Sequence, residues 1–143
     1  MMEKSPKIVP EEIHLLKIDV NEKEMDIEAF KKAQSPKLNI AHKRMYNLKD
    51  ERVKIELIFS FKNQKEEQLM LLQTDYHFQI ENMRQFYELK EEQPVFFAPL
   101  LATVLGIAIS TTRGILFEKL ENQGIHNILI PILSPQKLLT ESH

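Results

Sequence analysis

From residue 53 to residue 62 the chain alternates: Val53, Ile55, Leu57, Phe59 and Phe61 fall on one phase, and Lys54, Glu56, Ile58, Ser60 and Lys62 on the other. Successive side chains of an extended strand point to opposite faces, so this segment is a strand with one apolar face. Leu69 to Ile80 repeats the pattern, with Met70, Leu72, Thr74, Tyr76, Phe78 and Ile80 on one phase. The link between them, Asn63 to Gln68, is polar and of hairpin length, which makes the two strands antiparallel neighbours. A sheet with one apolar face needs a second layer to cover it.

The rest of the chain supplies candidates. Ile13 to Val20 is rich in apolar and β-branched residues and reads as a first strand, with Asn21 to Glu24 as its exit. Met25 to Lys37 carries Ile27, Ala29 and Phe30 among charges and closes at Pro36, as expected of a crossing connection with room for one helical turn. Leu38 to Asn47 reads as another strand, followed by a turn over Leu48 to Arg52. Met83, Phe86, Tyr87 and Lys90 recur at helical spacing behind Asn82, a good N-cap type, and predict a brief helix or turn. A long helix is expected from Pro94 to Asn122, with Gly114 allowing close packing and Gly124 as its C-cap. Beyond it come an extended run, Ile128 to Leu133, and a short helix capped by Ser134 with Pro135 first. Strands first and helices after is the order of an α+β layer fold: a four-stranded antiparallel sheet, a long helix and a short C-terminal helix.

At 143 residues the chain has the size of one domain, placed at 11–140 behind a flexible 1–10. Nineteen Lys and Arg against twenty-one Asp and Glu, with no basic run able to track a phosphate backbone, argue against nucleic acid. The absence of cysteine excludes a disulfide framework, a thiolate metal site and a cysteine nucleophile, and suits a reducing cytoplasm. The first ten residues lack the apolar core of a signal peptide.

Chemistry-bearing constellations are sparse. Gln73, Asp75, His77, Gln79 and Glu81 lie on the polar phase of their strand and read as its wetted face rather than as a metal or proton-transfer site. His14 and His42 sit on other strands at unfixed distances from His77. Three glycines, at 106, 114 and 124, cannot compose a phosphate-binding loop, and no nucleophile elbow is present. No catalytic residue, metal or cofactor is therefore expected. The apolar run Val95 to Ile109 is long for a soluble helix but marginal for a membrane span, with Arg113 and Glu118 close behind. It reads best as a helix buried on both sides, against its own sheet and against another subunit, which predicts an oligomer through Leu100, Val104 and Ile107.

The order of four strands, a long helix carrying Arg113-Gly114, then Leu129-Ile130-Pro131-Ile132 and a terminal helix with Leu138-Leu139, resembles the SecB protein-export chaperones and their divergent relatives. The likeness covers about residues 10 to 139. It departs from the family where Leu133-Ser134-Pro135 replaces an Asn-Phe-like pair. The family often carries an acid on the strand that here runs through Leu69, Met70 and Leu71, where it helps dock the SecA motor; here there is none. The resemblance implies a cytoplasmic homotetramer, a dimer of dimers, that holds unfolded polypeptides or preproteins in apolar grooves without ATP. It brings in SecA as a partner, and the acid-free strand argues against that handover.

Within that reading the expected client contacts are Ile27 and Phe30 of the crossing connection, Val53, Ile55, Leu57 and Phe59, and Tyr76, Phe78 and Ile80. The alternative for the two strand sets is that they form core beneath the long helix, and the structure decides this. Three other readings stand beside it. One is a SecB-like chaperone dedicated to one client such as an antitoxin. Another is a ligand-binding or enzymatic α+β protein with a pocket holding His77 and Asp75. The third is a small membrane subunit built on Val95 to Ile109.

Overall fold

A computed structural model of the chain describes residues 6–126, 128, 130 and 134–141. The sheet strands are β1 (Ile13–Met25), β2 (Lys37–Asn47), β3 (Arg52–Lys62) and β4 (Gln68–Ile80), antiparallel in the order β1-β4-β3-β2. The meander holds for β2 to β4, while β1 lies beside β4, so the connection from β1 to β2 travels the width of the sheet. Its short helix α1 (Ile27–Lys32) starts at Asp26, whose carboxylate accepts from the Ala29 N–H at 3.1 Å.

Registers explain the faces. Val53 pairs with Phe78, Ile55 with Tyr76 and Leu57 with Thr74, so their side chains project to one side. That side is covered by α2 (Ala98–Asn122), which buries Leu100, Val104, Leu105, Ala108 and Leu116 against it. The polar phase of β4 lies on the other side. Asp75 there is nearly buried and accepts a hydrogen bond from Gln73 at 3.0 Å.

Four local expectations are corrected. The first strand does not end at Val20 but continues through the polar residues to Met25, because an edge strand with one side in solvent needs no apolar alternation there. Asn82 is not a side-chain cap: it takes a left-handed conformation (φ 57°) ahead of a single 3₁₀ turn, Met83–Phe86. Tyr87–Lys90 (β5) and Gln93–Phe96 (β6) then form a hairpin, where a helical turn and the start of the long helix were expected. Its two turn residues, Glu91 and Glu92, both have positive φ, as a tight two-residue hairpin requires. The long helix starts at Ala98, with Pro99 rather than Pro94 in its first turn. Phe96 instead stacks between Tyr87 and Tyr46, with ring centroids 5.4 and 5.5 Å away.

The end of α2 is a Schellman motif. Gly124 has φ 73°, its N–H donates to the Glu121 carbonyl, and the Ile125 N–H donates to the Leu120 carbonyl. Leu120 and Ile125 are both buried, the apolar contact that accompanies this cap. Gly114 was expected to permit close packing, but open space surrounds it. Close approach falls at Gly106, where a Cβ would come within 3.3 Å of Pro135 at the start of α3 (Pro135–Glu141). Ser134 caps α3 as expected, its hydroxyl accepting from the Lys137 N–H at 3.3 Å. Leu129 and Pro131 to Leu133, part of the apolar motif ahead of α3, lie outside the described residues, as do residues 1–5.

Candidate functional site

Seven of the expected client contacts, Val53, Ile55, Leu57, Phe59, Tyr76, Phe78 and Ile80, are at most 3% exposed. They are the core face of the sheet under α2, and in this chain that face is not open to another polypeptide. Thr74, Tyr76 and Thr112 add a buried polar triad: the Tyr76 hydroxyl lies 2.6 Å from the Thr112 hydroxyl, which lies 2.8 Å from that of Thr74. Burial pushes the Tyr76 phenol above its ordinary pKa, against the opposing effect of hydrogen bonds with Thr112 and Thr74. A triad with each hydroxyl satisfied fixes where α2 sits along the sheet, because a slip by one turn would strand all three.

The crossing connection behaves differently. Phe30, also expected as a client contact, is 1% exposed and inserted into the core, its ring 5.1 Å from that of Phe61, while Ile27 stays half-exposed on α1. Beside Phe30 the connection meets the end of α2, and between them opens a groove of about 580 Å³. Phe30, Ala33 and Pro36 line it from one side, and Gly124, Ile125 and Ile128 from the other, with Lys31 and His126 also on its lining. The volume is that of a site for a few side chains. Two smaller recesses lie elsewhere. One, of about 450 Å³, runs between α2 and α3 past Ala102 and Leu139; the other, of about 390 Å³, lies between β2 and the β5–β6 hairpin past Tyr46, Val95 and Leu101.

Exposed aliphatic and aromatic side chains gather at two further places. Leu15, Leu16 and Val20 are each more than 40% exposed on β1, an edge strand that bulges between Leu15 and Lys17. On α2, Ile107 and Phe117 are exposed, whereas Leu100 and Val104, expected with Ile107 at an oligomer interface, are wholly buried in the chain's own core. The helix is long and apolar enough to cross a membrane by length and composition. Part of that apolar surface is buried on the sheet, where its Thr112 hydroxyl is committed to Thr74 and Tyr76.

The histidines do not converge. His77 meets Asp19 at 3.2 Å and His14 meets Glu81 at 3.2 Å, whereas His42 faces the helix side and contacts the Leu138 carbonyl at 3.4 Å. Burial pushes the His42 imidazole below its ordinary pKa, opposed by that carbonyl. Asp75 and His77 project from the sheet face opposite α2, so the sheet and helix do not enclose them in a pocket. Among the described residues no group of three or more His, Cys, Asp or Glu is placed to hold a metal ion.

No protein-family model matches the sequence, and no curated protein matches it. Among solved structures the chain is similar to a Mycobacterium tuberculosis SecB-like chaperone in complex with a peptide from an antitoxin. The identity is 14% and the TM-score 0.47, over 85% of this chain and 87% of that one.

Proposed function

We propose that this chain is an ATP-independent holdase that binds unfolded or preprotein polypeptides, with the groove between the crossing connection and the end of α2 as its main contact. The observation that carries the reading is that groove: an open recess lined by half-buried Ala33, Pro36 and Ile128 above buried Phe30 and Ile125, formed where two connecting segments meet on a well-packed scaffold. An extended client placed there buries apolar side chains at roughly 25 cal/mol per Å² and asks for no particular sequence. The two smaller recesses lie toward the other end of α2 and are separate apolar contacts for such a client.

The holdase is proposed to act as a homo-oligomer in the cytoplasm, a dimer of dimers, a compartment that suits its lack of cysteine. Exposed Leu15, Leu16 and Val20 on the β1 edge and exposed Ile107 and Phe117 on α2 are two separate surfaces for a second copy. Several grooves on one particle would strengthen individually weak client contacts by effective concentration. Handover to SecA is not part of the proposal, because Leu69 and Met70 belong to the core and Leu71 offers no charge. A chaperone dedicated to one client is the same reading with a narrower groove preference.

The direct functional assay is suppression of aggregation. The purified protein, without nucleotide, is expected to lower the light scattering of an unrelated protein as it unfolds, with saturation near one particle per client chain. Unchanged scattering at large molar excess would remove the holdase reading.

A further inference from the structure

Resting on that reading, we infer that the groove at the end of α2 prefers client segments in which an acidic residue lies next to the apolar anchor. Among the described residues that line it, the ionisable side chains are Lys31 and His126, both of cationic type, with no carboxylate. The two are not equivalent. His126 is held at 3.0 Å by the carboxylate of Glu121, so any charge it takes up has a partner already. Lys31 leaves the last turn of α1 beside Lys32 and reaches across the groove, its Nζ 3.6 Å from where a Cβ on Gly124 would stand.

A lysine that reaches a helix end can serve the free carbonyls there. At the end of α2, which Lys31 reaches, two of these carbonyls are already satisfied. The Leu120 carbonyl accepts from the N–H groups of Gln123 and Ile125, and the Glu121 carbonyl accepts from Gly124. Among the described residues no carboxylate forms an ion pair with Lys31. Its ammonium therefore stands over an apolar floor with its charge available to an incoming ligand. An apolar side chain seated against Ala33, Pro36 and Ile128 would bring an adjacent carboxylate within reach of Lys31, and an adjacent lysine would meet like charge. The groove rim is exposed, so such a pair is worth a factor of roughly two to five in affinity and weakens as salt is added.

The test uses the full-length protein and three fluorescent unfolded peptides with one common phenylalanine, flanked by Asp, Asn or Lys, read by anisotropy at low and high salt. The expected order of affinity is Asp over Asn over Lys, converging at high salt. Lys31→Gln should level the order and Lys31→Glu reverse it. Equal affinities, or an order that survives Lys31→Glu, would overturn the preference and leave the holdase reading in place. Failure of the Asn peptide to bind at all would overturn the reading and the preference together.

Discussion

Tyr76→Ala is expected to remove about 3–5 kcal/mol of folding stability, the range for deleting a fully buried aromatic side chain. That is a large share of what holds a domain of this size together, typically about 5–15 kcal/mol. Two contributions combine. The ring is wholly buried on the β4 face under α2, so its loss leaves a cavity that a close-packed core fills only in part. The hydroxyl closes the triad with Thr112 and Thr74, so Tyr76→Phe isolates the second contribution at about 1 kcal/mol. Thermal or urea unfolding followed by circular dichroism checks both variants. A Tyr76→Ala protein of near-native stability would mean that the ring is not the core element described here.

Val104→Asp is expected to be more damaging still. Val104 is fully buried on α2 within the hydrophobic core, where a carboxylate would be stripped of water, and the cost should exceed about 4 kcal/mol. The variant should fail to fold whether or not the protein oligomerises. Ile107, one helical turn on and exposed, separates the two effects. Ile107→Asp should leave the melting temperature of the chain's fold within a few degrees and lower the mass measured by light scattering. A folded Ile107→Asp protein of unchanged mass would remove the α2 face from the proposed assembly, leaving the β1 edge as the surface to alter next.

The alternation over residues 53–61 and 69–80 made the central strands legible, and burial follows it throughout β3 and along β4 except at Leu69 and Asp75, which are buried on the opposite phase. Period 2 says which side chains share a face, but not whether that face meets a helix or a client. Only the position of α2 settles this, and it turns Tyr76, Phe78 and Leu57 from expected contacts into core. The β5–β6 hairpin was illegible for a different reason: its turn uses two glutamates at positive φ, where glycine or asparagine would have announced it. With that turn hidden, Pro94 looked like a helix start.

The groove was only half legible. Phe30 stood out as an aromatic anchor in a polar connection, and Gly124 as a helix end, but nothing in one dimension joins position 30 to position 125. Lys31, Ala33, Ile125 and His126 were missed on that account. Their meeting depends on the strand order β1-β4-β3-β2, which sends the connection from one sheet edge to the other and past the end of α2. The clue available was the length of that connection, since a hairpin between the first two strands would have left no such crossing.

Where an unfolded chain touches the protein can be read by installing a photoactivatable phenylalanine analogue at single exposed positions and irradiating in the presence of a labelled unfolded polypeptide. His126 lines the groove, and Asn39 is exposed on the sheet face opposite α2. The account predicts strong labelling from position 126 and background labelling from position 39, with the former competed away by unlabelled client. Equal labelling from both positions, or labelling from position 39 alone, would contradict it.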